Sequence, residues 1–353
     1  MRKFTYVAFA SRVVFGAGAV AQLPAELDAL GAKRALVLST PGRGSSVRRI
    51  AGTLGERLAG IYDGAVMHVP VEVAEDARRI ARESGADCCV AVGGGSTIGL
   101  GKAIALTSGL PVVAVPTTYS GSEMTTILGM TEAGIKKTQR DPRVLPKTVI
   151  YDPELTIGLP AAISAASGMN AIAHCVEAAY AHDGNPINTI LAEEGIRALA
   201  SALPQIVSDP GSLEARGDAL YGAWLAGVSF ATVGMALHHK LCHVLGGTWN
   251  LPHAETHSIV LPHAARYNRD AAPQAMARIA RALNAPDAPA GLWDLEQRLG
   301  LKMALRKIGM PESGLERAAE LATGSPYPNP RAVEYAGVLE LLRNAFAGQR
   351  PGV

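Results

Sequence analysis

The chain has 353 residues, 48% hydrophobic and 18% charged, with a formal charge of +2. That length suffices for two domains with separate cores, and the near-neutral charge excludes the strongly basic face that nucleic-acid binding uses. The most apolar run, Trp224 to Leu237, is about fourteen residues, short of the ~20 a membrane span needs, and reads as a buried helix. Arg12 interrupts the apolar N-terminal stretch, so that stretch reads as mature protein rather than a signal peptide. Cys88, Cys89, Cys175 and Cys242 form no CxxC pair, which argues against a disulfide framework or zinc knuckle and for a reducing, cytoplasmic setting.

Taken in order, the first half alternates strand and helix signals. A strand-like VVF near Phe15 comes first, then a buried strand at Ala35–Ser39 and a turn at Pro41-Gly42. A helix is expected from Ser46 to Leu58, an extended piece from Gly64 to Val69, and an amphipathic helix from Val73 to Ser84. A second buried strand, Asp87–Val92, ends in Gly93-Gly94-Gly95. A helix over Thr97–Thr107 and a strand over Pro111–Val115 follow. Continuous apolar strands separated by helices predict a parallel sheet covered on both faces. Beyond about Asp152 strand signals stop. Helical segments are expected at 160–182, 186–207, 213–237, 271–283, 290–307, 313–322 and 331–346. The boundary falls between Thr156 and Pro160, giving an α/β nucleotide-binding domain over 1–157 and an all-α domain over 158–353.

Two loops carry the first chemical signal. Gly93, Gly94, Gly95 and Ser96 stand between a buried strand and a helix, where exposed N–H groups and the helix dipole favour a pyrophosphate. The segment Pro116 to Glu123 occupies the matching place after the next strand. Its hydroxyls, including Thr117, Thr118 and Ser120, suit phosphates, ribose or nicotinamide.

The second signal is HHKLCHVLGGTWNLPH, which gathers His238, His239, His243 and His253 in sixteen residues. His239 and His243 are four apart and share a helix face. His253 follows Pro252 after Gly246-Gly247, where a turn would fold the chain back. Converging imidazoles can bind a metal, or polarise a carbonyl and move protons near neutral pH.

Together these segments resemble the iron-containing (group III) alcohol dehydrogenase family. The marks are Phe15-Gly16-Ala17-Gly18, GGGS with Lys102, PTT…GSE, the run Tyr151 to Leu155, the run Gly168 to His174, and the histidine-rich segment. The resemblance covers nearly the whole chain. It implies a Rossmann-like α/β domain with a parallel sheet joined to an all-α domain, the dehydroquinate synthase-like architecture. It also implies NADH or NADPH as cofactor, held by Gly93, Gly94, Gly95, Ser96, Thr117, Thr118, Ser120 and Lys136. The family's metal ligands map onto position 170, His174, His239 and His253, and its proton-transfer histidine onto His243.

The departures from the family pattern point to one branch. Position 170 is Asn rather than Asp, Ser39 stands where an adenine-ribose Asp is expected, Gly99 replaces an Asp, and PTTYSGSE is one residue short. Without that carboxylate at Ser39 a 2′-phosphate meets no repulsion. These variants are similar to the maleylacetate reductases of bacterial aromatic-compound degradation. The resemblance therefore implies reduction of a carbon–carbon double bond conjugated to a ketone in a small dicarboxylate. His243, His253 and His239 are the expected catalytic residues. An amide is a poor ligand for Fe²⁺ or Zn²⁺, so the reading favours an enzyme that works without a tightly bound metal, with His174, His239 and His253 as ligands if one binds. Lys240, Arg266 and protonated His238 or His257 are candidate cations for the substrate, and His68 and His182 read as structural or exposed. The expected partner beyond substrate is a second copy, as a homodimer, with neither nucleic acid nor membrane. A metal-dependent alcohol or aldehyde dehydrogenase, a lyase on the dehydroquinate synthase-like scaffold and a non-catalytic nucleotide-binding protein are the alternatives.

Overall fold

The structure, a computed structural model, describes all residues except Met1–Lys3, Thr5, Ala10, Arg43, Ala133, Gly134 and Val353; the side chains of Ile135 and Lys136 are also outside the description. It divides into two compact units, Phe9–Leu159 and Pro160 onward, and the described residues before Phe9 group with the second.

The first unit is built on strands β1 (Arg12–Phe15), β2 (Ala35–Leu38), β3 (Leu58–Tyr62), β4 (Cys88–Gly93), β5 (Val112–Pro116), β6 (Ile127–Glu132), β7 (Ile135–Arg140) and β8 (Thr148–Tyr151). Six form a parallel sheet in the order β1-β8-β5-β4-β2-β3, and β6 and β7 pair antiparallel on their own. Central β2, β4 and β5 are buried on both faces, which is why they read as unbroken apolar runs. Alternate residues serve opposite sides. Val37, Val90, Val92 and Val113 share a core with Leu23 and Leu27 of α1 (Leu23–Ala29) and with Val47 and Ile50 of α2 (Gly44–Gly52). The other face meets α4 (Gly95–Ser108), whose Gly101 lies against Val112, Ala91 and Leu38, and α3 (Val71–Glu83) packs beside α4.

Two expectations need correction here. The helix expected over Ser46–Leu58 stops at Gly52, and Leu58 begins β3 instead. The extended piece at Gly64–Val69 is a loop, with His68 at φ 66° and Val69 at φ 46°, left-handed conformations that no strand contains. The β6–β7 hairpin and β8 carried no recognised signal.

The second unit contains α5 (Ala161–Tyr180), α6 (Pro186–Ser208), α7 (Leu213–Ala231), α8 (Leu237–Trp249), α9 (His253–Asn268), α10 (Pro273–Ala282), α11 (Ala288–Arg298), α12 (Leu315–Thr323) and α13 (Tyr335–Ala347). Helix α5 is buried almost end to end, as its Ala-rich composition allows. It packs on α6, α7 and α9, and Gly195 and Gly222 let α6 and α7 approach closely. Leu237, Leu241 and Leu245 of α8 join Ile259, Leu315 and Leu342 in the core formed with α9, α12 and α13. The stretch Trp224–Leu237 is not one helix: α7 ends at Ala231, and α8 begins at Leu237. Gly246-Gly247 is not a turn either. It lies inside α8, and the reversal comes at Asn250, which ends the helix at φ 52° before Leu251-Pro252. Helix α9 itself was not expected. Among the described residues no helix is long and apolar enough to cross a membrane.

Candidate active site

In the α/β unit the chain leaves β2 toward β3 on one side of the sheet and β4 toward β5 on the other. The ends of β2 and β4 therefore flank a topological switch point, where open α/β sheets bind ligands. Ser39 follows β2 there, its N–H bonded to the Tyr62 carbonyl at 2.9 Å. Gly93 closes β4, and Gly94 leads into α4 with Gly95 and Ser96 in its first turn. Gly94, Gly95 and Ser96 keep solvent access, so the first-turn N–H groups can meet an anion.

The loop after β5 lies over this turn. Thr117 donates its N–H to the Gly93 carbonyl at 3.0 Å, and a Cβ on Gly94 would stand 2.8 Å from the Thr118 side chain. Only glycine fits. Ser120 bonds Glu123 at 3.2 Å, and the Tyr151 hydroxyl donates to Glu123 at 2.9 Å. Buried Lys102 of α4 ties the loop down by donating to the carbonyls of Ser122, Thr125 and Ile127. Burial draws the pKa of Lys102 down to about 7. Burial likewise raises that of Glu123, opposed by its hydrogen bonds and by Lys102. Gly93, Gly94, Gly95, Ser96, Thr117, Thr118 and Ser120 are thus brought together, with Ser39 on the same sheet edge. Lys136 falls in β7, but its side chain lies outside the described residues. Gly99 has a steric reason: a Cβ there would stand 2.8 Å from Val69 Cγ2.

The helical unit gathers six of the nine histidines. Ring centroids lie 5.2 Å apart for His174–His239, 6.2 Å for His239–His243, 4.9 Å for His239–His257 and 4.2 Å for His253–His257. His238 is 4.9 Å from His257, and Phe230 stacks on His174 and His239. Helix α5 supplies His174, α8 supplies His238, His239 and His243, and α9 supplies His253 and His257. His243 and His253 are half-buried, and the other four are buried.

Glu177 was missed at the sequence level. One turn on from His174, its Oε1 accepts the N–H groups of His238 at 2.8 Å and His239 at 3.3 Å. Its Oε2 accepts the N–H of Ala236 at 2.8 Å and pairs with His239 Nδ1 at 2.8 Å. The carboxylate caps α8 and sets the His239 ring. Burial pushes its pKa up, while His238 and the three backbone donors pull it back. The spacing Asn170, His174, Glu177 on one helical face was the available signal.

Several expected roles change. Desolvation, helped by neighbouring imidazoles, holds His174 and His257 well below the usual histidine pKa and takes His238 down to about 4. Burial therefore favours the neutral form of His238 and His257, which argues against either as a substrate cation. Arg266 does not flank the cluster. It lies thirteen residues beyond His253 on α9, roughly 20 Å along the axis, and its Nε donates to the Gly352 carbonyl. Lys240 Nζ stands 6.0 Å from the Tyr327 ring centroid. His182 is exposed beside Asp183, in keeping with one of its two expected readings.

For a divalent ion, Asn170, His174, His239 and His253 offer one amide and three imidazoles. Asn170 Oδ1 and His174 Nδ1 are buried and meet no protein partner. The nearby carboxylate, Glu177, spends both oxygens on α8 and His239. With an amide in place of the family's Asp, the set lacks an anionic ligand and fits iron less well than the set that the family resemblance implies, while its three imidazoles alone suit an ion such as Zn²⁺.

Comparison with known proteins agrees with the two-unit fold. Residues 10–153 match the family described as iron-containing alcohol dehydrogenase, and residues 164–346 match the C-terminal part of the Fe-containing alcohol dehydrogenase family. The chain is 57% identical over 351 residues to a maleylacetate reductase of Burkholderia cepacia, covering 99% of this chain and 100% of that one. The crystal structure of a maleylacetate reductase from Agrobacterium tumefaciens superposes with TM-score 0.95 at 50% identity, covering 99% and 100% of the two chains. An iron-containing alcohol dehydrogenase from Corynebacterium glutamicum gives TM-score 0.95 at 45% identity, covering 99% of each. By fold, family match and full-length identity, this chain is an oxidoreductase belonging to the iron-containing alcohol dehydrogenase family, in its maleylacetate reductase branch.

Proposed function

We propose that the chain uses NADH or NADPH to reduce the carbon–carbon double bond of maleylacetate, giving 3-oxoadipate, without a tightly bound metal ion. The observation that supports this most is the imidazole cluster, in which Asn170 replaces a carboxylate and Glu177 is committed elsewhere. An alcohol dehydrogenase must stabilise an alkoxide, which a divalent cation does well. Conjugate reduction places its charge differently. Hydride goes to the carbon β to the ketone, the double bond shifts, and an enolate forms at the ketone oxygen. A proton then adds to the carbon between them.

In this reading the dinucleotide pyrophosphate lies on Gly93–Ser96 at the N-terminus of α4, with Thr117, Thr118, Ser120 and Lys136 toward the nicotinamide half and Ser39 toward the adenosine. His253 donates a hydrogen bond to the enolate oxygen, and His243 delivers the proton. These two rings keep solvent access. His239, its Nδ1 held by Glu177, presents Nε2 for proton relay. We further infer a cytoplasmic homodimer, and exposed Ile163, Ile187 and Ile190 favour self-association. The test mixes protein, NADH and maleylacetate and follows the nicotinamide absorbance. Consumption of NADH is expected. If the protein instead turns over small aldehydes or alcohols only when iron is added, the proposal fails.

A further inference from the structure

We propose that His238, His239 and His257 form a transition-metal site with its own donor set, and that Zn²⁺ or Co²⁺ bound there arrests turnover. The three offer ligand nitrogens that all lie within 4.8 Å of one another. Hydrogen bonding presets two rings. His238 Nε2 is 2.9 Å from the His257 carbonyl, so Nε2 carries the proton and Nδ1 keeps its lone pair. His239 Nδ1 donates to Glu177, which leaves the lone pair on Nε2. Neither nitrogen of His257 meets a protein partner, although the ring is fully buried. Leaving such a group unpaired is unfavourable, and an ion would offset that cost.

The site suits a borderline ion that prefers imidazole, such as Zn²⁺ or Co²⁺, over Mg²⁺ or Ca²⁺. Zn–N bonds of about 2.0–2.1 Å put tetrahedral nitrogens about 3.4 Å apart. One nitrogen from each ring already lies within 4.8 Å of the others, at most about 1.4 Å beyond that spacing. Water takes the fourth position, and Glu177 behind His239 supplies one countercharge, as in carboxylate–histidine–zinc arrangements. Only His239 is shared with the set that the family resemblance implies; Asn170, His174 and His253 are not used. The arrest rests on the proposed function, because the ion would occupy His239 Nε2 and fix His257, 4.2 Å from His253.

The test titrates Co²⁺ into the full-length protein, stripped with chelator, and reads metal per chain and the visible bands of tetrahedral cobalt. One Co²⁺ per chain is expected. The H238Q and H257Q variants, checked for native circular dichroism, should each weaken binding beyond the ~10–100-fold that a lost second-shell partner costs. H253A should keep both the bands and the affinity. Absence of binding, or bands lost in H253A and kept in H257Q, overturns the site. Should one variant misfold, the other carries the comparison with H253A. Zn²⁺ should inhibit wild-type NADH consumption and chelator should restore it. Cobalt bound by the trio with turnover unchanged would refute the arrest while leaving the site standing.

Discussion

Glu177→Gln isolates the group that joins α8 to the imidazole cluster. The native carboxylate accepts four donors, the N–H groups of Ala236, His238 and His239 and the His239 ring, two on each oxygen. A glutamine offers one oxygen and one NH₂, so either orientation sets two of those donors against another donor. Each unsatisfied buried group costs about 1–3 kcal/mol, so the loss should total about 2–6 kcal/mol. That is a large part of the 5–15 kcal/mol typical of a folded protein. At about 2–4 °C per kcal/mol for a unit of this size, calorimetry should show the helical unit melting about 4–24 °C earlier. Loss of ring orientation at His239 should also lower turnover about 10–100-fold, with NADH affinity little changed. A variant that melts within 2 °C of wild type and turns over normally would refute the role assigned to this carboxylate.

His263 gives a pH test. Desolvation alone takes its pKa to about 4, below the 6.5 of an exposed histidine. Because the folded pKa is depressed, the stability it preserves is complete above pH 6.5. It is lost as pH falls toward 4, at about 1.4 kcal/mol per unit while only the unfolded chain takes the proton. Urea unfolding at pH 7, 6 and 5 should show wild type losing stability relative to H263Q, at about half this slope from pH 7 to 6 and close to it from pH 6 to 5, and parallel profiles would contradict it. H243A should cut kcat by about 10²–10⁴ while leaving the NADH dissociation constant within about twofold; unchanged kcat would reduce His243 to packing. G94A must displace Thr118, since its Cβ would stand 2.8 Å from that side chain. NADH fluorescence titration should show affinity at least about tenfold weaker, equivalent to 1.4 kcal/mol; native affinity would remove the glycine turn from the cofactor site.

Much of the fold was legible because burial writes itself into composition. Strands β2, β4 and β5 are enclosed on both faces and read as apolar runs, and α3 shows a clear helical period. Edge strand β3 contains Gly60, and β6 mixes Gly129 with Thr131 and Glu132; neither carries an uninterrupted signal. Gly246-Gly247 misled because a glycine pair costs a helix only about 1 kcal/mol per residue, which packing of Leu245 and Trp249 offsets. At the site, the four-residue spacing of His239 and His243 was enough to place both on α8. The lowered pKa of His238 and His257 was not legible, because burial among the helices sets it. Glu177 escaped notice because a lone acid on an Ala-rich helix shows its purpose only when α8 begins above it.

The most direct measurement uses nicotinamide deuterated at the transferable position, with maleylacetate as acceptor and NMR of the product. Conjugate reduction predicts cofactor deuterium on the 3-oxoadipate carbon β to the ketone, with the ketone intact and the adjacent carbon protonated from solvent. Deuterium on a carbinol carbon would show ordinary ketone reduction and contradict the account.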